Sequence, residues 1–238
     1  MDEALERRCV ADTSLLNNFV HSGNAYLLER LLGGPVCLSP TVLDAHETVM
    51  PNFSGEGVVS EFLKPLYMSR LPGHSSYRDV APLIQAFALA AGNLWQPVEL
   101  TGDESALAER LGSKRIHAEV RAACPNACRR ITELGPGEAE VAAVAVSRRW
   151  TMLTEDRAAA DLLRRLHPEI PVRKTCCLLV HAVERGLMPC QEAAELYNRR
   201  IVDELCSWAF RNSNGARERR WLRCHPARCS WEAYSIRK

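Results

Sequence analysis

Acidic residues recur at the ends of short apolar runs over about 150 residues of this chain, a pattern that constrains the fold more than any other feature. Cys9-Val-Ala-Asp12-Thr13-Ser14 opens the series, and Pro40-Thr-Val-Leu-Asp44-Ala-His-Glu47 follows. Gly137-Glu138-Ala-Glu140 starts an alanine-rich segment, and Met152-Leu-Thr154-Glu155-Asp156-Arg157 closes the series. In an α/β sheet the carboxyl ends of strands converge on one crevice, so acids placed there meet. Carboxylates crowded together repel unless hard divalent cations sit between them. The expected chemistry is metal-dependent hydrolysis of phosphate esters, and that in turn points to nucleic acid.

The segments between the acids read as alternating strands and helices. Arg8 to Asp12 is a short buried strand, and Leu15, Leu16, Phe19 and Val20 carry helical spacing from Thr13. Asn24 to Leu32 is a second helix, stopped by Gly33-Gly34-Pro35. Val36-Cys37-Leu38 is a strand and Pro40 starts a helix at its first position. Glu138 to Arg149 is a helix whose alanines and valines require burial on most sides. Trp150 to Thr154 and Ile170 to Val172 are strands, with a helix from Asp156 to Leu166 between them. Helices over Thr175 to Arg185, Pro189 to Arg200 and Ile201 to Arg211 complete the pattern. Strand and helix in alternation predict an α/β fold with a parallel sheet and crossovers. Residues 51 to about 130 are rich in breakers. They read as a helical insertion, with Leu94 to Leu100 extended and helices at Asp103 to Leu111 and Arg115 to Ala123.

With 238 residues and 47% hydrophobic content the chain can bury a full core. Its start has no apolar run after the charges, and no stretch reaches the roughly 18 apolar residues of a membrane span. A soluble, cytoplasmic protein without a membrane partner is the expectation. Ten cysteines without an export signal are expected to be reduced thiols, Cys9, Cys37, Cys176, Cys177 and Cys206 lying in apolar segments. The spacing of Cys124 and Cys128, and of Cys224, His225 and Cys229, is nearer to that of metal ligands, which makes a zinc-binding regulatory protein a weaker rival. His46, His117 and His181 read as surface or satisfied core residues.

Hydrophobic-Ala-Asp12-Thr13-Ser14-x-Leu16 resembles the first motif of PIN-domain ribonucleases, the fold of VapC-type toxins. Gly137-Glu138-Ala-Glu140-Val-Ala-Ala-Val-Ala followed by Leu153-Thr154-Glu155-Asp156-Arg157 is similar to the later motifs of the PIN subgroup with a Gly-Glu-Ala-Glu helix. Val180-His-Ala-Val-Glu-Arg-Gly-Leu-Met-Pro189 resembles that subgroup's ending. The resemblance covers residues 7 to 50 and about 131 to 205. It implies a PIN-like three-layer α/β/α domain over residues 1–210, with a central parallel sheet of four to five short strands. It also implies an endoribonuclease using Mg²⁺ or Mn²⁺. Asp12, Glu47, Glu138 and Asp156 would be the catalytic acids, and Asp12, Glu138, Asp156 and Asp44 the metal ligands. Asp44 and Glu47 compete for the second position because i and i+3 share a helix face. Glu140 is a lesser substitute for Glu138, pointing about 200° round the helix. Thr13, Ser14 and Thr154 would support a carboxylate or a metal-bound water. An antitoxin that inserts into the acidic pocket, and a homodimer, are partners the resemblance implies.

The resemblance leaves the 51–130 insertion and the C-terminal tail, 211–238, unexplained. From Arg211 onward eight basic residues stand against two acidic ones, a net +6 in a chain whose overall charge is +1. Trp221, Trp231 and Tyr234 lie among them, and aromatic rings between arginines can stack on unpaired bases. Arg157, Arg217, Arg219, Arg220, Arg223 and Trp221 are therefore the expected RNA contacts, with the 129–130, 148–149 and 164–165 arginine pairs extending the surface. The competing reading is an inactive PIN-fold module that binds nucleic acid or a protein partner without cutting.

Overall fold

The computed structural model describes residues 5, 7–32, 34–43, 95–123, 133–197, 218–225 and 230–237. Five three- or two-residue strands form one parallel sheet: β1 Cys9–Ala11, β2 Val36–Leu38, β3 Trp95–Pro97, β4 Thr151–Leu153 and β5 Val172–Arg173. Their order is β3-β2-β1-β4-β5, every pairing parallel. The residues of β1, β2 and β4 are buried throughout, as a sheet covered on both faces demands.

The described helices are α1 Thr13–His21, α2 Ala25–Leu31, α3 Pro40–Leu43, α4 Gly102–Gly112, α5 Lys114–Ala123, α6 Pro136–Arg148, α7 Arg157–Leu166, α8 Thr175–Glu184 and α9 Cys190–Glu195. They sort into two packed groups: α1, α2 and α8 with α9 on one side, and α4 to α7 on the other. Helix α6 lies directly on β1 and β4. Its run of Val141, Ala142, Ala143, Val144 and Ala145 is fully buried, and side chains this small let the helix approach the sheet closely. Pro136 occupies its first turn, and the chain leaves it through Arg149 in the left-handed conformation at φ 55°.

This is the expected α/β architecture, with two differences. Trp95–Pro97 pairs with β2, so this part of the expected helical insertion is the sheet's edge strand. Helix α4, which follows, packs along α6. The second difference is at the C-terminus. Glu218–His225 (β6) and Ser230–Arg237 (β7) pair antiparallel as a hairpin, where the sequence predicts a basic tail without secondary structure. Aromatic and branched residues in both segments (Trp221, Trp231, Tyr234, Ile236) favour strands, which arginine counting alone conceals. The remaining residues of the insertion, 51–94 and 124–130, and the helix expected at 201–211 lie outside the described residues.

From β1 the chain crosses through α1 and α2 to β2 on one side, whereas β4 lies on the other side of β1 and leads through α7 to β5. Successive strands diverge from the β1–β4 pair. At such a switch in strand order, the carboxyl ends of the two central strands are where an α/β sheet ordinarily carries its site. Asp12 follows β1 directly, and Thr154, Glu155 and Asp156 follow β4.

Candidate active site at the carboxyl edge of the sheet

The strand register sets the site's floor. Val10 pairs with Cys37, Ala11 with Leu153, and Leu153 with Arg173. Carried on along the strands, this register sets Ser39, Asp12, Thr154 and Lys174 side by side along the carboxyl edge. The Asp12 amide donates to the Leu153 carbonyl at 2.9 Å, which fixes the middle of that row.

Asp12 occupies the N-cap position of α1, yet its side chain makes no capping bond of good geometry. It turns instead toward β4. Ser14 Oγ donates to Asp12 Oδ2 at 2.6 Å and Thr154 Oγ1 donates to the same oxygen at 2.8 Å. Oδ1 receives no side-chain hydrogen bond among the described residues. The residue is 1% exposed. Burial pushes its carboxyl above the ordinary carboxylate range, the Ser14 and Thr154 hydroxyls and the Ser14 amide pull the other way, and the nearby Asp156 adds to the rise. No cation offsets this charge among the described residues.

Each of the two hydroxyls also accepts a hydrogen bond. Ser14 Oγ takes the Glu155 amide at 3.2 Å and Thr154 Oγ1 takes the Asp156 amide at 3.0 Å. A single network thus ties the start of α1 to the loop after β4. Asp156 then caps α7 through Oδ1, which accepts the Ala159 amide at 2.7 Å. Its capping role and its closeness to Asp12 coexist, since a carboxylate has two oxygens.

Glu155 was not among the expected site residues. Its Oε1 accepts the Thr175 amide at 2.5 Å and so closes the start of α8. Lys174 Nζ donates to the Glu155 carbonyl at 3.4 Å, and Asn18 Nδ2 on α1 donates to Thr175 Oγ1 at 2.9 Å. The signal in the sequence was a carboxylate beside Asp156, but its partner is 20 residues away and only the sheet brings it near. Ser39 was missed too: it is fully buried at the end of β2 and its hydroxyl has no hydrogen-bond partner among the described residues.

The other acids are placed differently. Glu138 is the third residue of α6, and its carboxylate folds back over Gly135, where a Cβ would collide with it. Glu140 points to the start of α3: Thr41 donates to it through its amide at 2.9 Å and its hydroxyl at 2.7 Å. Asp44 and Glu47 lie outside the described residues. Among the described residues no group of three or more His, Cys, Asp or Glu side chains is close enough to hold a metal ion. Asp12 and Asp156 are the pair that the fold brings together. Thr13 is buried at the first position of α1.

Arg157 is exposed beside Asp156 at the start of α7, and Arg164 and Arg165 are exposed on the same helix. Arg148 is committed elsewhere, to Glu104 on α4. Arg219, Arg220, Trp221 and Arg223 lie on β6, with Trp221 in register with Tyr234, and Arg217 is outside the described residues. Of the histidines, His117 is a core residue whose Nε2 donates to the Leu111 carbonyl at 2.8 Å, and His181 is buried with Nδ1 facing Glu184 at 3.5 Å. His46 is outside the described residues. Cys9, Cys37, Cys176 and Cys177 are free thiols, as expected. Cys190 is disulfide-bonded, which the expectation of reduced thiols did not anticipate. Cys224 and His225 fall on β6, while Cys124, Cys128, Cys206 and Cys229 lie outside the described residues. No described helix is long and apolar enough to cross a membrane.

Neither a family model nor a curated protein matches the chain. Among solved structures it is similar to VapBC2 from Rickettsia felis bound to a DNA fragment from their promoter. The identity is 11% and the TM-score 0.38, over 70% of this chain and 97% of that one. A likeness that distant carries no residue role across.

Proposed function

We propose that the chain is a metal-dependent endoribonuclease of the PIN type, cutting RNA phosphodiester bonds at the carboxyl ends of β1 and β4. The observation that carries this reading is the Asp12 carboxylate, buried with no cation beside it among the described residues, next to a second carboxylate at the point where the strand order diverges. An uncompensated buried charge is costly, and a divalent cation is the ordinary remedy. The donor set suits Mg²⁺ or Mn²⁺. Asp12 and Asp156 each commit one oxygen to the protein and have another to offer. Mg²⁺ binds through one or two carboxylates and keeps waters that substrate phosphates replace. Glu138, and Asp44 or Glu47, complete the set in this reading.

A divalent ion held there supplies a water of lowered pKa and offsets charge on phosphate oxygens. The chain's own residues do the positioning. Ser14 and Thr154 orient Asp12, and the Glu155 and Asp156 amides orient those hydroxyls in turn. Arg157 and the arginines of β6 would draw in the RNA backbone. A restraining antitoxin and a homodimer belong to the same reading.

The test is incubation of a mixed RNA pool with Mg²⁺, Mn²⁺ or EDTA, wild type beside Asp12→Asn and Asp156→Asn. Cation-dependent cutting lost in both variants supports the proposal. RNA binding without cutting, unchanged by either substitution, rejects it in favour of a non-catalytic binding module.

A further inference from the structure

Lys174 stands just past the carboxyl end of β5, and the backbone on both sides of it is fixed. Before it, the Thr154 amide donates to the Arg173 carbonyl at 3.1 Å. After it, the Thr175 amide donates to Glu155 Oε1 at 2.5 Å, and Thr175 Oγ1 accepts from Asn18 Nδ2 on α1 at 2.9 Å. The Leu178 amide closes the first turn of α8 on the Lys174 carbonyl at 3.1 Å. The half-buried Lys174 side chain therefore leaves from a set point, and its Nζ donates to the Glu155 carbonyl at 3.4 Å.

The ammonium has three protons to donate, and this one long bond is all that it makes among the described residues. Glu155, the residue it touches, is itself an acid, but that carboxylate is turned to the Thr175 amide and forms no ion pair with Lys174. A positive charge with donors to spare is left at the carboxyl edge of the sheet. Its place relative to the acids follows from the peptide it leans on. The Glu155–Asp156 peptide aims its carbonyl at Lys174 and its amide at Thr154 Oγ1, at 3.0 Å, and Thr154 Oγ1 in turn donates to Asp12. The carbonyl and amide of a trans peptide point opposite ways, so the ammonium stands across that peptide from Asp12. That separation removes it from a phosphate reacting at Asp12 and suits a phosphate farther along the same strand.

We infer that Lys174 is a substrate-binding residue for RNA, taking a backbone phosphate that flanks the bond to be cut, with Asn18, Thr175 and Glu155 holding it in position. The inference rests on the nuclease reading for the identity of the polymer. Binding itself needs neither a divalent ion nor cleavage, because an ammonium meets a phosphate as a point charge. The contact reads no base, so it adds affinity equally across sequences.

The full-length chain is titrated with a labelled single-stranded RNA of mixed sequence in EDTA over a series of salt concentrations, and cleavage is then followed in Mg²⁺. Lys174→Ala is expected to bind severalfold more weakly, with the dependence of log affinity on log salt shallower by roughly 0.7. Lys174→Arg keeps the charge and is expected to keep both affinity and slope near those of wild type. In Mg²⁺, Lys174→Ala is expected to raise KM severalfold and leave kcat within about twofold, because the lost contact is made equally in the ground and transition states. An affinity and slope unchanged in Lys174→Ala, or an equal loss in Lys174→Arg, would overturn the inference. A weaker affinity with an unaltered slope would overturn it as well, since a structural defect has no reason to release fewer counterions in this way. Weaker and less salt-dependent binding by Lys174→Ala in a chain that never cuts RNA would count against the nuclease alone and leave the phosphate contact standing.

Discussion

Asp12 is the residue on which the reading turns, and its protonation makes a prediction separate from catalysis. A carboxyl whose folded pKa lies above its ordinary 3.8 binds its proton more tightly in the native state. Stability then falls as pH rises from the ordinary value through the raised one, and at neutral pH the buried charge is a net cost. A cation bound at that carboxylate reverses the sign. Mg²⁺ or Mn²⁺ at about 100 times its dissociation constant should add about 2.7 kcal/mol at pH 7, read as a rise in Tm of several degrees. Asp12→Asn should lose that increment while being at least as stable as wild type in EDTA. A Tm indifferent to both cations, or an equal rise in the variant, would remove Asp12 from any metal site. Ser14 and Thr154 act through Asp12, so Thr154→Val should weaken the response to Mg²⁺ without abolishing it.

At the scale of elements, one ion pair joins the helix that follows the sheet's edge strand to the helix on its central strands. Glu104 is 1% exposed within α4, in a capping box with Thr101, and Arg148 reaches it from α6 with Nε at 2.7 Å and a second nitrogen at 2.8 Å. Arg148 also donates to the Glu99 carbonyl and lies over the Trp150 ring. The Arg148 guanidinium holds the Glu104 carboxyl down at about 2. A depressed carboxyl contributes stability that is full above its unfolded value near 4.5 and is lost as pH falls toward 2. Glu104→Gln should cost about 1.5–3 kcal/mol in urea unfolding at pH 7 and flatten the loss of stability between about pH 5 and 2. The exit of α6 offers the opposite change. Arg149 sits at φ 55°, where a side chain is strained and glycine is not. Arg149→Gly should raise stability by about 0.5 kcal/mol, the relief of strain outweighing the entropy of the unfolded chain. A lower urea midpoint for that variant would show that the Arg149 side chain holds more than its backbone costs.

The whole molecule combines a near-neutral chain with a strongly basic C-terminal segment. Part of that charge lies on a hairpin, in which Arg219, Trp221 and Arg223 take alternate positions along β6 in register with Ile236, Tyr234 and Glu232. A strand period places such alternate residues on one face, a better platform for a polyanion than a tail would be. Arg219→Ala with Arg223→Ala should weaken binding to single-stranded RNA about equally across sequences. The dependence of log affinity on log salt should become shallower by roughly 0.7 for each phosphate that these arginines neutralise in the wild type. An unchanged slope would assign the RNA path to Arg157 and α7 instead.

Much of the central architecture was legible in the chain because local signals agreed with one another. Apolar runs bounded by Asp, Gly-Gly-Pro and Pro give β1, β2, β4 and the helices between them within a residue or two. The alanine and valine run of α6 announced a helix buried on most sides. Acids at strand ends pointed to the carboxyl edge of the sheet as the place for a candidate site. What the local signals left out is long-range. Trp95-Gln-Pro97 has no strand pattern beyond being extended, and only pairing with β2 makes it part of the sheet. The hairpin likewise depends on the pairing of β6 with β7. Asp12 and Asp156 each stand immediately before a helix, where a side chain can also serve as the cap. In the fold, Asp156 caps α7 while Asp12 turns away from α1 to Thr154, 142 residues on. Glu155, Asn18 and Thr175 had no joint meaning until β4, β5 and α1 brought them together. Sequence determined the elements, because propensity and period act over a few residues. Tertiary structure alone decided which oxygen faces which hydroxyl, because register between strands distant in the chain sets those distances.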